Sequence, residues 1–138
     1  MPEPKIIITR TDRQRLEHLL ASAFTHAIEI RPHLEALRSA LQNAEIIGSE
    51  EIPDSVITMN STIGLYDIDY DVTGTYTLVF PQEADILENK VSVLSPMGTA
   101  ILGYRVGDVV TWRNSSGTRK LRLMELVYQP EREGAMHL

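Results

Sequence analysis

The chain has 138 residues, enough to bury a hydrophobic core, and its lack of cysteine excludes thiol nucleophiles, cysteine zinc sites and disulfides. Its formal net charge of −6, with no block of lysine or arginine, argues against wrapping a polyanion. No apolar run approaches the roughly 20 residues of a membrane helix, and the first residues lack a secretory signal. We therefore expect a cytoplasmic protein that does not contact the membrane.

Residues 1–50 have the periodicity of two helices. After a candidate strand at Ile6 to Ile8, Thr11 is predicted to cap a first helix that runs to about Phe24. Pro32 is predicted to open a second helix, and Gly48 to end it. The apolar stripes that support these helices are Leu16, Leu19, Leu20 and Ala23, then Leu34, Leu37, Leu41 and Ala44. They predict a short antiparallel helical hairpin as an N-terminal domain.

Residues 51–138 change to short β-rich runs separated by turn residues, which predicts a mostly antiparallel sheet in a second domain. The runs are Ser61 to Ile68, Gly74 to Phe80, Lys90 to Leu94, Asp108 to Arg113 and Thr118 to Tyr128. Residues 71–74 and 114–117 are the predicted hairpin turns. In the last run, Leu121 and Leu123 have one parity whereas Met124, Leu126 and Tyr128 have the other, which predicts a β-bulge.

One short helix is predicted between the strands. Ser95 is its N-cap, Pro96 occupies its first position and Gly103 stops it. The apolar residues that would seat it across the sheet are Met97, Ala100, Ile101 and Leu102. The fold class is therefore α+β.

Five segments of the second half carry a resemblance to a known family. They are residues 56–61 (Val-Ile-Thr-Met-Asn-Ser), 76–81, 91–103, 105–108 and 125–130. Together they resemble the C-terminal domain of the Gre transcription elongation factors. The short helical hairpin, the Thr-Met-Asn-Ser string and the Tyr-Gln-Pro ending point to the Rnk branch of that family. The resemblance implies an FKBP-like domain, in which a sheet curls around one short helix.

The resemblance also implies a non-enzymatic regulator that binds RNA polymerase near the secondary channel, in competition with Gre factors, and needs no cofactor. Nucleic acid would be reached only through the polymerase. By the same resemblance, the polymerase-binding surface maps onto Ser95, Pro96 and Met97, although Leu94 stands where some relatives carry an acid. A purely structural role of Ser95 and Pro96 at the helix start explains the same residues equally well.

The predicted hairpin tip contains His26, Glu29 and Arg31. Gre-type transcript cleavage depends on an acidic tip that helps to hold a catalytic metal in the polymerase. Because Glu29 is the only acid of this tip, we expect no stimulation of cleavage, with a Gre-like cleavage factor as the alternative. A zinc site formed by His26 and His33 is disfavoured, because no further ligand lies close in the sequence.

Two charged segments and four aromatic residues complete the candidates. Asp67, Asp69 and Asp71 begin like a calcium loop but lack its glycine and its final acid, so they are predicted to be solvated. The basic residues at 119, 120 and 122 are predicted to form a solvated strand face. A prolyl isomerase is a third possible function, and its pocket would be lined by aromatic residues. Four residues could line such a pocket or simply form the core: Tyr76, Phe80, Trp112 and Tyr128. The sequence leaves the oligomeric state open.

Overall fold

A computed structural model describes residues 6–26, 32–114 and 117–132, which contain three α-helices and seven β-strands. The helices are α1 (Arg10–His26), α2 (Pro32–Asn43) and α3 (Pro96–Ile101). The strands are β1 (Ile7–Thr9), β2 (Glu45–Ile47), β3 (Thr62–Asp67), β4 (Val72–Val79), β5 (Lys90–Ser92), β6 (Val109–Asn114) and β7 (Gly117–Tyr128). This mixture of helices and strands confirms the predicted α+β class.

The strands form two sheets. A five-stranded sheet has the order β5-β4-β3-β7-β6, and all of its pairs are antiparallel except β4 with β5. A small second sheet pairs β1 with β2 in parallel. Helix α3 follows β5 and is capped by Ser95, with Pro96 in its first turn and Gly103 in a left-handed conformation just beyond its end (φ +81°). The prediction for this short helix is confirmed.

The N-terminal helices begin and end at other residues than the sequence predicted. The predicted N-cap, Thr11, is wrong: α1 starts at Arg10, and Thr9 Oγ1 accepts a hydrogen bond from the Asp12 N–H at 3.1 Å. Thr9 is also the last residue of β1, so strand and helix follow each other without a loop. Gly48 is likewise not the helix terminator, because α2 ends at Asn43 and β2 follows at once.

The β3–β4 connection also differs from the predicted turn. Residues 68–71 make the reversal, with Asp71 in a left-handed conformation (φ +55°), whereas Gly74 already pairs with Leu65 inside the sheet. In the β6–β7 hairpin, Asn114 pairs with Gly117, as the predicted turn at 114–117 requires, and residues 115–116 lie outside the described residues.

The predicted bulge of β7 is present, and a second one accompanies it. Leu65 pairs with Leu123 while Gly64 pairs with Glu125, which leaves Met124 without a partner on β3. A second register shift skips Val127 in the same way. Met124 therefore points away from the core, whereas the sequence placed it on the same face as Leu126, which is buried.

One hydrophobic core receives side chains from both halves of the chain. Leu16 and Leu20 of α1 and Leu37 and Leu41 of α2 are buried in the same cluster as residues of the sheet and of α3. Phe80 is buried there, and Tyr76 and Trp112 pack against it, which favours the core interpretation of these aromatic residues. The antiparallel hairpin, the FKBP-like comparison and the boundary at residue 50 stay predictions.

Candidate functional site

The strand–helix corner, defined here as residues 92–99, contains the predicted polymerase-binding residues. Ser95 Oγ accepts a hydrogen bond from the Gly98 N–H at 3.1 Å and donates one to the Ser92 carbonyl at 2.7 Å. Ser92 Oγ in turn accepts from the Leu94 N–H at 3.0 Å. Because the Ser95 hydroxyl both caps α3 and closes the corner, its structural role is fully accounted for without a partner.

The corner is also fixed to the sheet. Thr99 Oγ1 donates to the Val93 carbonyl at 2.8 Å, and the Val93 N–H donates to the Val79 carbonyl of β4 at 2.9 Å. A Cβ on Gly98 would lie 2.1 Å from the Ser92 carbonyl oxygen, so only glycine allows this close approach. The corner is therefore a rigid element whose conformation the sequence specifies at several residues.

The half-buried residues of the corner could offer a partner mostly apolar surface. Leu94 and Met97 pack against the core and, like Ser95 and Pro96, are partly buried. None of these four side chains titrates, so the corner has no groups for acid–base chemistry. The arrangement suits docking by shape and apolar contact.

The predicted hairpin tip lies largely outside the described residues. His26 is the last residue of α1, and the structure describes its backbone only. Glu29 and Arg31 fall in residues 27–31, which lie outside the described part of the chain, as does the side chain of His33. The interpretation of the tip therefore stays a prediction.

The aspartates at 67, 69 and 71 each accept a hydrogen bond within the protein, but only Asp67 is buried, so the prediction that they are solvated is wrong for Asp67 and holds for the exposed Asp69 and Asp71. Asp67 is buried and forms an ion pair with Arg119, whose Nε donates to Asp67 Oδ2 at 2.7 Å. Asp69 Oδ2 accepts from the Lys120 N–H at 3.0 Å, and Asp71 Oδ1 accepts from the Tyr66 hydroxyl at 2.8 Å. The β3–β4 turn directs each carboxylate to a different donor.

Of the basic strand face that was predicted to be solvated, Lys120 and Arg122 are exposed, whereas Arg119 is partly buried in its ion pair with Asp67. Burial would raise the pKa of Asp67, but hydrogen bonds from Arg119 and from the N–H groups of Tyr70 and Asp69 outweigh it and hold the pKa below its usual value. The Arg119 guanidinium also lies 4.0 Å from the ring centre of Tyr70. This cluster joins the β3–β4 turn to β7 at one end of the sheet.

A polar junction between α1 and the C-terminal half was missed at the sequence level. The buried carboxylate of Asp12 accepts a hydrogen bond from the Met59 N–H at 3.1 Å through Oδ2. Burial raises the pKa of Asp12 from 3.8 to about 6, with a smaller contribution from the negative charge of Glu131 and opposing hydrogen bonds from Met59 and Thr9. An acid at the third position of a helix reads as an ordinary capping residue, so nothing in the sequence indicated this contact.

The same junction binds the end of β7 to the loop before β3. Thr58 Oγ1 donates to Glu131 Oε1 at 2.7 Å, and the Thr58 N–H donates to Ser61 Oγ at 3.0 Å. Gln129 is fully buried, and its Nε2 donates to the carbonyls of Pro53 and Val56 at 2.9 and 2.6 Å. Residues 53–58, which lead into the Thr-Met-Asn-Ser string, thus contact Gln129 and Glu131 at the end of β7.

Two classes of site find no support in the described part of the chain. Residues 6–26, 32–114 and 117–132 contain no group of three or more histidine, aspartate or glutamate side chains placed to hold a metal ion. No helix within these residues is long and apolar enough to span a membrane.

Comparisons with known proteins match both halves of the chain. The protein-family model "Transcription elongation factor, GreA/GreB, C-term" matches residues 52–128, and the family model "Rnk N-terminus" matches residues 4–47. The chain is 35% identical over 135 residues to the regulator of nucleoside diphosphate kinase of Escherichia coli (strain K12), covering 97% of each protein. The chain belongs to the Rnk branch of the GreA/GreB family. It is a transcription elongation factor-like regulator.

Two further relatives show the extent of this family likeness. GreA of Thermoanaerobacter pseudethanolicus is 37% identical over 97 residues, which cover 70% of this chain and 62% of that protein. A solved GreA/GreB transcription elongation factor from Nitrosomonas europaea has 35% identity and a TM-score of 0.74, covering 91% of this chain and 100% of that one. The family likeness therefore includes the fold as well as the sequence.

Proposed function

We propose that this chain binds RNA polymerase near its secondary channel, competes there with Gre factors, and does not stimulate transcript cleavage. The observation that carries the proposal is the full-length match to the regulator of nucleoside diphosphate kinase, together with the GreA/GreB match over residues 52–128. Any effect on a nucleoside diphosphate kinase would be indirect, through transcription.

The docking part of the proposal rests on the strand–helix corner. Ser95 fixes the start of α3, and Pro96 and Met97 present a partly buried surface in the first turn of this helix. A preorganised surface loses little conformational entropy on binding. Ser95 thus positions the surface, while its neighbours provide the contact.

The non-cleaving part rests on the short helices and on the sequence between them. At 1.5 Å per residue, α2 extends only about 18 Å and α1 about 26 Å. Between His26 and Pro32, Glu29 is the only acid, so the sequence supplies no carboxylate pair to help hold a catalytic metal.

A backtracked elongation complex tests the proposal. The purified chain alone should leave transcript cleavage at the intrinsic rate, and in increasing amounts it should suppress cleavage stimulated by a Gre factor. Stimulation by the chain itself would instead support the cleavage-factor alternative, and failure to suppress the Gre factor would refute competition.

A variant at the corner tests where the polymerase binds. Pro96→Ala keeps the Ser95 cap, because alanine is accepted in the first turn of a helix, but it removes the proline ring from the surface. We expect affinity for core polymerase to fall about tenfold, equivalent to about 1.4 kcal/mol, while circular dichroism shows that the fold is retained. Unchanged affinity would place the interface elsewhere.

A further inference from the structure

The loop between β4 and β5 holds two adjacent aliphatic side chains almost entirely in solvent. Ile86 is 90% exposed and Leu87 is 95% exposed, whereas the other exposed large hydrophobic residues of the described chain reach only 49–61%. Scattered apolar residues on a surface are ordinary, but two neighbours that contribute almost nothing to the core are not explained by folding.

This loop is ordered by its own hydrogen bonds. Asp85 and Lys90 exchange two backbone hydrogen bonds of 2.9 Å, which close the loop at its base. The Asp85 carboxylate also accepts from the Leu87 N–H at 3.0 Å, which caps the single helical turn Ile86–Glu88. The two aliphatic side chains are therefore displayed on a closed, capped turn.

Asn89 fastens the turn to the neighbouring strand. It adopts a left-handed conformation (φ +56°), and its N–H donates to the Ile86 carbonyl at 3.2 Å. Its side-chain amide donates to the Thr75 carbonyl at 3.1 Å, and its own carbonyl accepts from the Thr77 N–H at 2.9 Å. A ligand would thus meet Ile86 and Leu87 in a fixed position, at little entropic cost.

The charges around the aliphatic pair select the kind of partner. Glu83, Asp85 and Glu88 are exposed around it, and the nearby cation, Lys90, lies 3.2 Å from Glu88 and partly neutralises it. An acidic rim repels an anionic lipid surface, and it would face its own like charges in a symmetric pair of this chain. It complements an apolar pocket with a basic rim on another protein.

We propose that Ile86 and Leu87 form an anchor that inserts into such a pocket on RNA polymerase. This inference rests on the proposed function and adds a second contact to it. The anchor precedes β5 and the strand–helix corner follows it, so that Pro96 lies nine residues beyond Leu87 along the chain. Two separated contacts would fix the orientation of the protein on the polymerase as well as its affinity.

The test replaces both side chains in the full-length protein. Ile86→Gln with Leu87→Gln keeps side-chain size while removing the apolar surface, and Val72→Thr with Val109→Thr is the matched control at two other exposed aliphatic residues. Because all four residues contribute little to the core, the melting temperature should stay unchanged. Equilibrium binding to core polymerase is then measured for each protein.

We expect the anchor variant to bind at least about tenfold more weakly and the control to bind within about twofold of the wild type. An unchanged affinity of the anchor variant would overturn this inference while the proposed function stands. If the wild type itself did not bind, the proposed function would fail, and the anchor with it.

The acidic rim and the other possible occupants are tested separately. Glu83→Gln with Glu88→Gln should weaken binding and reduce its dependence on salt, because complementary rim charges are screened by ions. Sedimentation of the chain alone tests whether a second copy binds the anchor. Flotation with phosphatidylcholine vesicles tests whether a lipid surface does. Self-association or vesicle binding that the anchor variant abolishes, with polymerase affinity unchanged, would contradict the inference.

Discussion

Asp12 is a carboxylic acid whose ionisation opposes folding. Its pKa is raised from 3.8 to about 6 because the side chain is buried, so the folded state binds its proton more tightly than the unfolded state does. The contribution of this group to stability is therefore greatest below pH 4 and declines as pH rises through 6. At 1.36 kcal/mol per unit, the loss amounts to about 3 kcal/mol.

The variant Asp12→Asn tests this contribution. It retains an oxygen acceptor for the Met59 N–H but does not ionise. From pH 4 to pH 7, the free energy of unfolding of the variant should rise relative to that of the wild type by up to about 3 kcal/mol. Urea unfolding at a series of pH values gives this difference, and a constant offset across the range would contradict the assignment.

An alanine substitution at Gly98 tests whether the strand–helix corner is rigid. Gly98→Ala would place a Cβ 2.1 Å from the Ser92 carbonyl oxygen, so the backbone must move, and we expect a loss of about 2 kcal/mol or more in the free energy of unfolding. Gly64→Ala is the control, because its nearest contact would be an ordinary 3.8 Å. If both variants lost the same free energy of unfolding in chemical denaturation, the close approach of residue 98 to the Ser92 carbonyl would not contribute to stability.

Single residues show where reasoning from the sequence alone stopped. The positions of Ser95 as the N-cap of α3 and of Pro96 in its first turn were predicted correctly, because an N-cap and a first-turn proline act on their immediate neighbours. The partners of Asp67 and Asp12 lie 52 and 47 residues away in sequence, so no local pattern could reveal them. Spacing identifies local hydrogen bonds but not contacts made by the tertiary fold.

At the level of elements, apolar periodicity located both N-terminal helices, but their ends depended on the small parallel sheet. The Glu45 N–H donates to the Ile6 carbonyl at 2.9 Å, and this pairing with the N-terminal strand ends α2 before Gly48 is reached. Likewise, the parity change of β7 predicted one bulge, whereas pairing with β3 produces two. Pairing between distant segments therefore overrides local signals at the ends of elements.

The contribution of the apolar stripe of α2 to stability can be tested by mutation. Leu37 is buried in the core, so Leu37→Ala should lower the free energy of unfolding by about 2 to 5 kcal/mol. Gln42→Ala, at an exposed residue of the same helix, should change it by no more than about 0.5 kcal/mol. A small effect at Leu37 in thermal unfolding would mean that α2 contributes little to the common core.

For the whole molecule, the continuous core makes the N-terminal helices and the sheet depend on each other. Leu34 and Leu37 of α2 share the cluster with Ile101 of α3 and Leu123 of β7. The Asp12–Met59 and Thr58–Glu131 hydrogen bonds reinforce this connection at the polar junction. We therefore expect the position of the helices relative to the corner to be maintained when the protein binds a partner.

Direct displacement tests the central claim most closely. A fluorescently labelled Gre factor bound to core RNA polymerase is titrated with the unlabelled full-length chain, and anisotropy reports the fraction that remains bound. We predict complete, saturable displacement by the wild type, and displacement at about tenfold higher concentration by Pro96→Ala. Failure of the wild type to displace the Gre factor, at concentrations where it binds polymerase in a pull-down, would contradict a shared site near the secondary channel.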